Sequence, residues 1–185
     1  VTDMSYMFYG CSNLEKIYFG NINTSSIEDM SHLFYNCYKL TSIDLSNFDI
    51  SKVKKMIGTF HECSNLEKIN FGDINTSSLE DMSTLFYECS KLTSIDLSNF
   101  DTSKVTSMHM LFYGCKYSEA IDFGNINTSS LESIGFFVTY CYNLTSLDLS
   151  KFDASKIRNM KWSFYGCSKL KYLDLSNFDG SKVTI

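Results

Sequence analysis

The chain has 185 residues, 44% of them hydrophobic and 20% charged, and carries a formal charge of −5; this suits one ordinary domain rather than a disordered chain. No apolar run approaches the roughly 20 residues needed to cross a bilayer, so membrane insertion is not expected. The acidic balance argues against nucleic acid, whose phosphates are met by clustered Lys and Arg. Proline is absent, as expected of stacked strands and turns that keep every backbone donor.

Cysteines stand at Cys11, Cys37, Cys63, Cys89, Cys115, Cys141 and Cys167, each 26 residues after the last. Unbroken periods of this kind mark a repeat solenoid. Its rungs run over 1–26, 27–52, 53–78, 79–104, 105–130, 131–156 and 157–182, in a chain expected to be part of a longer array. Each rung opens with apolar residues three and four apart, as Val1, Met4, Met7, Phe8 and Cys11, or Ile27, Met30, Leu33, Phe34 and Cys37. That spacing predicts a short helix. Leu14, Ile17 and Phe19 follow, with the period switching to two; Ile17 and Phe19 point inward, Lys16 and Tyr18 outward. The rung closes on Ile22 and the turn Asn23-Thr24-Ser25-Ser26, whose side chains are suited to capping backbone groups. The fold expected is an α/β solenoid of right-handed connection, with a parallel sheet on one side and short helices on the other.

A longer period overlies the first. Rungs one, three and five pair Phe19 with Ile22, Phe71 with Ile74 and Phe123 with Ile126, while rungs two, four and six pair Leu45 with Phe48, Leu97 with Phe100 and Leu149 with Phe152. Ring and aliphatic residue trade places, which implies a double-rung unit whose layers interdigitate. Rung seven repeats the even pattern with Leu175 and Phe178, so looser packing is expected between rungs six and seven. Ser118, Ile134 and Val138 stand where other rungs carry leucine, methionine and phenylalanine, which predicts a soft region there. The cysteines, odd in number and all at one place, read as a buried ladder of free thiols. His32, His61 and His109 sit at different places and build no metal site with them.

The string from Phe34 to Leu45, F-x-x-C-x-x-L-x-x-I-x-L, resembles the repeat of BspA-type leucine-rich-repeat proteins. The string from Leu97 to Thr106 resembles their 26-residue branch. The resemblance implies a leucine-rich-repeat solenoid at the cell surface or secreted, and attachment to host molecules or other cells. It carries no catalytic residues. The chain departs from ordinary leucine-rich repeats where these place an inward asparagine, since Ile22, Phe48 and their equivalents make that row apolar.

Two rows are candidate sites. The outward strand place gives Tyr18, Asp44, Asn70, Asp96, Asp122, Asp148 and Asp174. Like charges about 5 Å apart repel, and the strip reads as a surface for a basic partner, as carboxylates for calcium, or as plain solvated polarity held by serines such as Ser146 and Ser150. The second row is Tyr9, Tyr35, Tyr87, Tyr113 and Tyr165, interrupted by His61 and Thr139; such a row anchors a partner or stacks on itself over the core. The glycosylation pattern at Asn23, Asn75 and Asn127 is the turn of the odd rungs, and Asn143 alone lies elsewhere. No nucleophile stands beside a base and no cofactor motif appears, so no enzyme, cofactor or metal centre is expected. The expectation is a surface recognition module presenting its strand face to a protein or glycan. The alternative is a structural repeat whose copies join end to end into a filament or surface layer, because the chain begins at Val1 inside a rung and reaches Ile185 at the matching phase of the next.

Overall fold

The structure, a computed structural model, describes residues 1–184; the predicted match between the chain's two ends extends to Ile185, which lies outside them. Six short strands recur once per rung: β1 (Ser42–Asp44), β2 (Lys68–Asn70), β3 (Ser94–Asp96), β4 (Ala120–Asp122), β5 (Ser146–Asp148) and β6 (Tyr172–Asp174). In each, the middle residue points inward and its neighbours outward, because side chains alternate along a strand. A single turn of 3-10 helix at Gly180–Lys182 completes the described elements. The chain is a leucine-rich-repeat solenoid with parallel strands.

The side opposite the strands is built differently from the expected helices. Its backbone makes consecutive four-residue turns: Met7 donates to Met4, Tyr9 to Tyr6, Cys11 to Phe8 and Leu14 to Cys11. The intervening amides bond to the next rung instead, as Met30 to Lys55, His32 to Ile57, Phe34 to Thr59 and Asn36 to His61, at 2.8–2.9 Å. Donors thus alternate between the rung's own turns and its neighbour, and the segment meets its backbone requirement without a helix. The apolar spacing of three and four arose from turn corners, not from one face of a helix. The physical reason is width: a helix is about 10 Å across, whereas these turns stack close to the spacing of paired strands, about 4.8 Å. The turns that close at Met7 and Cys11, and their equivalents, need a left-handed residue at their third place. It is supplied by Gly10, Asn36, Glu62, Glu88, Gly114, Tyr140 and Gly166 before the cysteines, and by Tyr6, His32, Gly58, Thr84, Met110, Phe136 and Trp162 one turn earlier.

The core is a set of ladders. Phe8, Phe34, Phe60, Phe86 and Phe112 stack nearly parallel, with centroids 5.4–6.1 Å apart. Where Val138 interrupts the ladder, Phe137 fills the adjoining buried place held by Leu111 one rung earlier and packs 5.3 Å from Phe112, and the buried Ser118 hydroxyl donates to the Ala120 carbonyl. The worn rungs are therefore filled and satisfied. The cysteines are free. From Cys37 to Cys167 each thiol donates to a carbonyl of the preceding rung at 3.0–3.2 Å, which orients the ladder. At the closing turn, Asn23 and its equivalents in every rung accept from the amide two residues on at 2.9–3.1 Å, as the predicted cap requires.

The double-rung unit is visible in the sheet. Among the described residues strands pair only as β1–β2, β3–β4 and β5–β6, each an even rung with the next. These junctions close tightly because Gly72 and Gly124 lie on the backbone of Ser46 and Ser98; a Cβ on either would meet it at 2.7–2.9 Å. From an odd rung to the next even one, rings meet edge to face instead: Phe19 with Phe48, Phe71 with Phe100 and Phe123 with Phe152, 4.7–5.1 Å apart. These wedges splay the strands, while the buried hydroxyls of Thr24, Thr76 and Thr128 accept the amides of Asp49, Asp101 and Asp153 at 2.7 Å and hold the turns together. The looseness expected between rungs six and seven is nearly absent. β5 and β6 pair and Phe152 stacks on Phe178. Only the bond from Leu149 to Asp174 is long, 3.2 Å against 2.8 Å for its counterparts, where Ser176 takes the place held by Gly72 and Gly124.

Candidate binding face

The strand place puts Asp44, Asn70, Asp96, Asp122, Asp148 and Asp174 in one outward row, continued by the strongly exposed Tyr18. Each acidic or amide side chain accepts the backbone amide two residues on, from Ser46, Gly72, Ser98, Gly124, Ser150 and Ser176, at 2.8–3.2 Å. In each aspartate one carboxylate oxygen is thus occupied in shaping the turn and the other faces solvent, except at Asp174, whose Oδ2 also accepts the Tyr172 hydroxyl at 3.0 Å. Hydrogen bonds from the side chain and then the backbone of the following serine hold the Asp44, Asp96, Asp148 and Asp174 carboxyls below the usual range. Ser150 supports its aspartate as expected; Ser146 faces outward within β5. The Asn70 amide also donates to Asp44 at 3.1 Å, so this pair of neighbouring rungs carries one charge and no like-charge repulsion. Among the described residues no group of three or more His, Cys, Asp or Glu is placed to hold a metal ion, and no helix is long and apolar enough to cross a membrane.

The tyrosine row stacks upon itself. Tyr9, Tyr35, His61, Tyr87 and Tyr113 lie nearly parallel at 4.2–4.8 Å, so His61 continues the row rather than breaking it. Burial, followed by the neighbouring His32, pushes the His61 imidazole down to about 4. At Thr139 the row turns: Tyr140 from the next place stands edge-on to both Tyr113 and Tyr165 at 5.4 Å. Faces used in stacking are closed to a ligand, so most of this row serves the fold.

The strand face holds a feature that residue types alone did not show. β2 and β3 share no hydrogen bond, and none of their Cα atoms come within 8 Å of one another. Cavities of about 230 and 330 Å³ open between them, share Ile69, Phe71 and Asp96, and form one slot. A third, of about 380 Å³, continues it past Glu67, Lys91 and Thr93. Ile69, Phe71 and Ile74 are only half-buried although their rung is internal, whereas their equivalents Ile43, Leu45 and Phe48 are at most 6% exposed. The corresponding junction after β4 is clamped: Lys151 reaches back to the Gly124 carbonyl at 2.8 Å and to Asn125 at 3.1 Å. At the β2–β3 slot the same place holds Asn99, which is exposed. The sequence signal was the glycine alternation at Gly20, Gly72 and Gly124, which marks the junctions that close and so, by difference, those that open.

No curated protein matches the chain. A leucine-rich repeat protein from Bacteroides ovatus is similar at 19% identity and a TM-score of 0.49, over 81% of this chain and 41% of its own. A leucine-rich repeat protein from T. pallidum is similar at 18% identity and a TM-score of 0.41, over 82% of this chain and 64% of its own. The chain therefore spans less than two thirds of the length of either. The family model described as "Mycoplasma protein of unknown function, DUF285" matches residues 2–121 and 88–185, and the chain belongs to that family.

Proposed function

We propose that the protein is a non-catalytic recognition module of BspA-like type, exposed on or secreted from a bacterial cell, that binds a protein or glycan through its strand face. The observation that carries this reading is the contrast between the two sides. On the turn side aromatic faces are consumed by mutual stacking. On the strand side outward side chains stay exposed and half-buried apolar residues line open slots. The test is binding of the labelled chain to intact cells, read by flow cytometry. Ser94→Arg with Ala120→Arg, both on the strand face, should lower binding about ten-fold, as blocking an interface centre does. Tyr87→Ser on the turn side should leave it unchanged. Equal binding by all three proteins would contradict the reading. The charge contribution is read separately with Asp96→Asn, Asp122→Asn, Asp148→Asn and Asp174→Asn, which keep the acceptor that shapes each turn.

A second reading, end-to-end assembly, is favoured by the regular stacking of the rungs, each of which bonds its turn-side backbone to the next in the same register. Negative-stain microscopy over a concentration series should show filaments if copies join end to end, and separate short particles if they do not.

A further inference from the structure

We propose that the slot between β2 and β3 receives an extended peptide, whose main chain pairs with both strand edges and whose basic side chain meets Asp73 and Asp96. The proposal rests on the strand face being the recognition surface, and it names the occupant and its mode of binding. Three observations support it. β2 is paired along one edge with β1, and β3 along one edge with β4, so the two edges facing the slot are unpaired. In a parallel ladder alternate residues direct both backbone groups to the same neighbour. Lys68 and Asn70 face β1, which leaves the N–H and C=O of Ile69 for the slot. A strand added between two others needs them roughly 9.5 Å apart, twice the ladder spacing; β2 and β3 are already more than 8 Å apart, so little further opening is required.

The lining fits the same ligand. Ile69, Phe71, Phe86, Leu92 and Ile95 form an apolar floor for the inward side chains of an extended segment, whose alternation matches a strand's. At one end the rim carries Asp73 and Asp96 beside Asn70 and Asn99, with no cation among the residues lining that part. A lysine or arginine on the peptide supplies the missing charge. This is strand addition to a sheet edge, made two-sided by the splay.

The experiment selects heptapeptides from a random display library on the immobilised chain. The synthesised binders are then measured by fluorescence anisotropy against the parent and three variants. Asn99→Lys reproduces the Lys151 clamp and should close the slot, lowering affinity about ten-fold or more. Asp96→Asn should weaken binders that carry a basic residue by several-fold. Ser146→Arg, on the strand face away from the slot, should have no effect. Methylation of alternate peptide amides should cost about ten-fold each, the loss of one or two main-chain hydrogen bonds. Thermal melts confirm that the variants fold. Binders weakened by Ser146→Arg but not by Asn99→Lys would overturn the slot while leaving strand-face recognition standing. A library that yields no strand-face binder overturns the peptide proposal. A glycan that binds and is lost on Asn99→Lys, with no peptide bound, would assign the slot to sugars and overturn it equally.

Discussion

Thr84 holds φ at 54°, a conformation that L-residues disfavour and β-branched ones most of all. The equivalent place in the preceding rung is Gly58, at φ 58°. Thr84→Gly should therefore stabilise the chain by about 0.5–1 kcal/mol, the relieved strain less the entropy glycine loses on folding, read as a higher urea midpoint. His61 occupies a tyrosine's place with its Nδ1 buried and without a hydrogen-bond partner. Its imidazole is held neutral by burial. A depressed histidine contributes stability that is complete above its ordinary value near 6.5 and is lost as pH falls toward about 4. His61→Tyr should raise stability at neutral pH by about 1 kcal/mol and shift the acid unfolding midpoint down. An unchanged acid limb would place the sensitivity elsewhere. At this scale the sequence was informative where chemistry repeats: the free cysteines and the capping role of the closing turn followed from their periodicity. His61 was harder to read, because as a residue type it looks like an interruption, and only ring geometry shows that imidazole stacks as tyrosine does.

Within the elements, the tight junctions depend on two glycines. Gly124→Ala would place a methyl 2.7 Å from the backbone and side chain of Ser98 at a positive φ, and should cost about 2 kcal/mol or more. Gly20→Ala, with the same backbone sign but open space around it, should cost only the conformational part, about 1 kcal/mol. The difference between the two urea midpoints isolates the packing contribution. The alternation of Phe71 and Leu97, with Ile74 and Phe100, was legible as a double-rung unit. Its consequence was not, because rings meeting edge to face need more room than paired strands allow, and sequence carries no distances. The expected helices failed for a related reason. Spacings of three and four fit both a helix face and a run of four-residue turns, and the deciding signal was the glycine or asparagine before Cys11, Cys37, Cys115 and Cys167. Far-UV circular dichroism should accordingly lack the 222 nm helical minimum.

Across the whole molecule the thiol ladder reports on integrity. Cys11 is exposed and Cys167 partly so, while the five between are buried. A thiol reagent should label Cys11 at once and Cys167 slowly, and label all seven cysteines only on unfolding. Burial pushes the Cys37 and Cys167 thiols up to about 11 and those of Cys63, Cys89, Cys115 and Cys141 higher. Stability from the ladder is therefore complete below the ordinary thiol range near 8.5 and falls progressively as pH rises above it; denaturant midpoints across that range should decline. The rungs are joined without a break on the turn side, whereas the strands join only in pairs. Amide hydrogen exchange by NMR tests that most directly. Ile95, paired with β4, and Phe60, bonded to Leu85 across the turn side, should exchange slowly. Ile69, facing the open slot, should exchange about 100-fold faster, as an amide without a partner does. Equal protection of Ile69 and Ile95 would mean one continuous sheet, and would contradict both the paired-rung architecture and the slot.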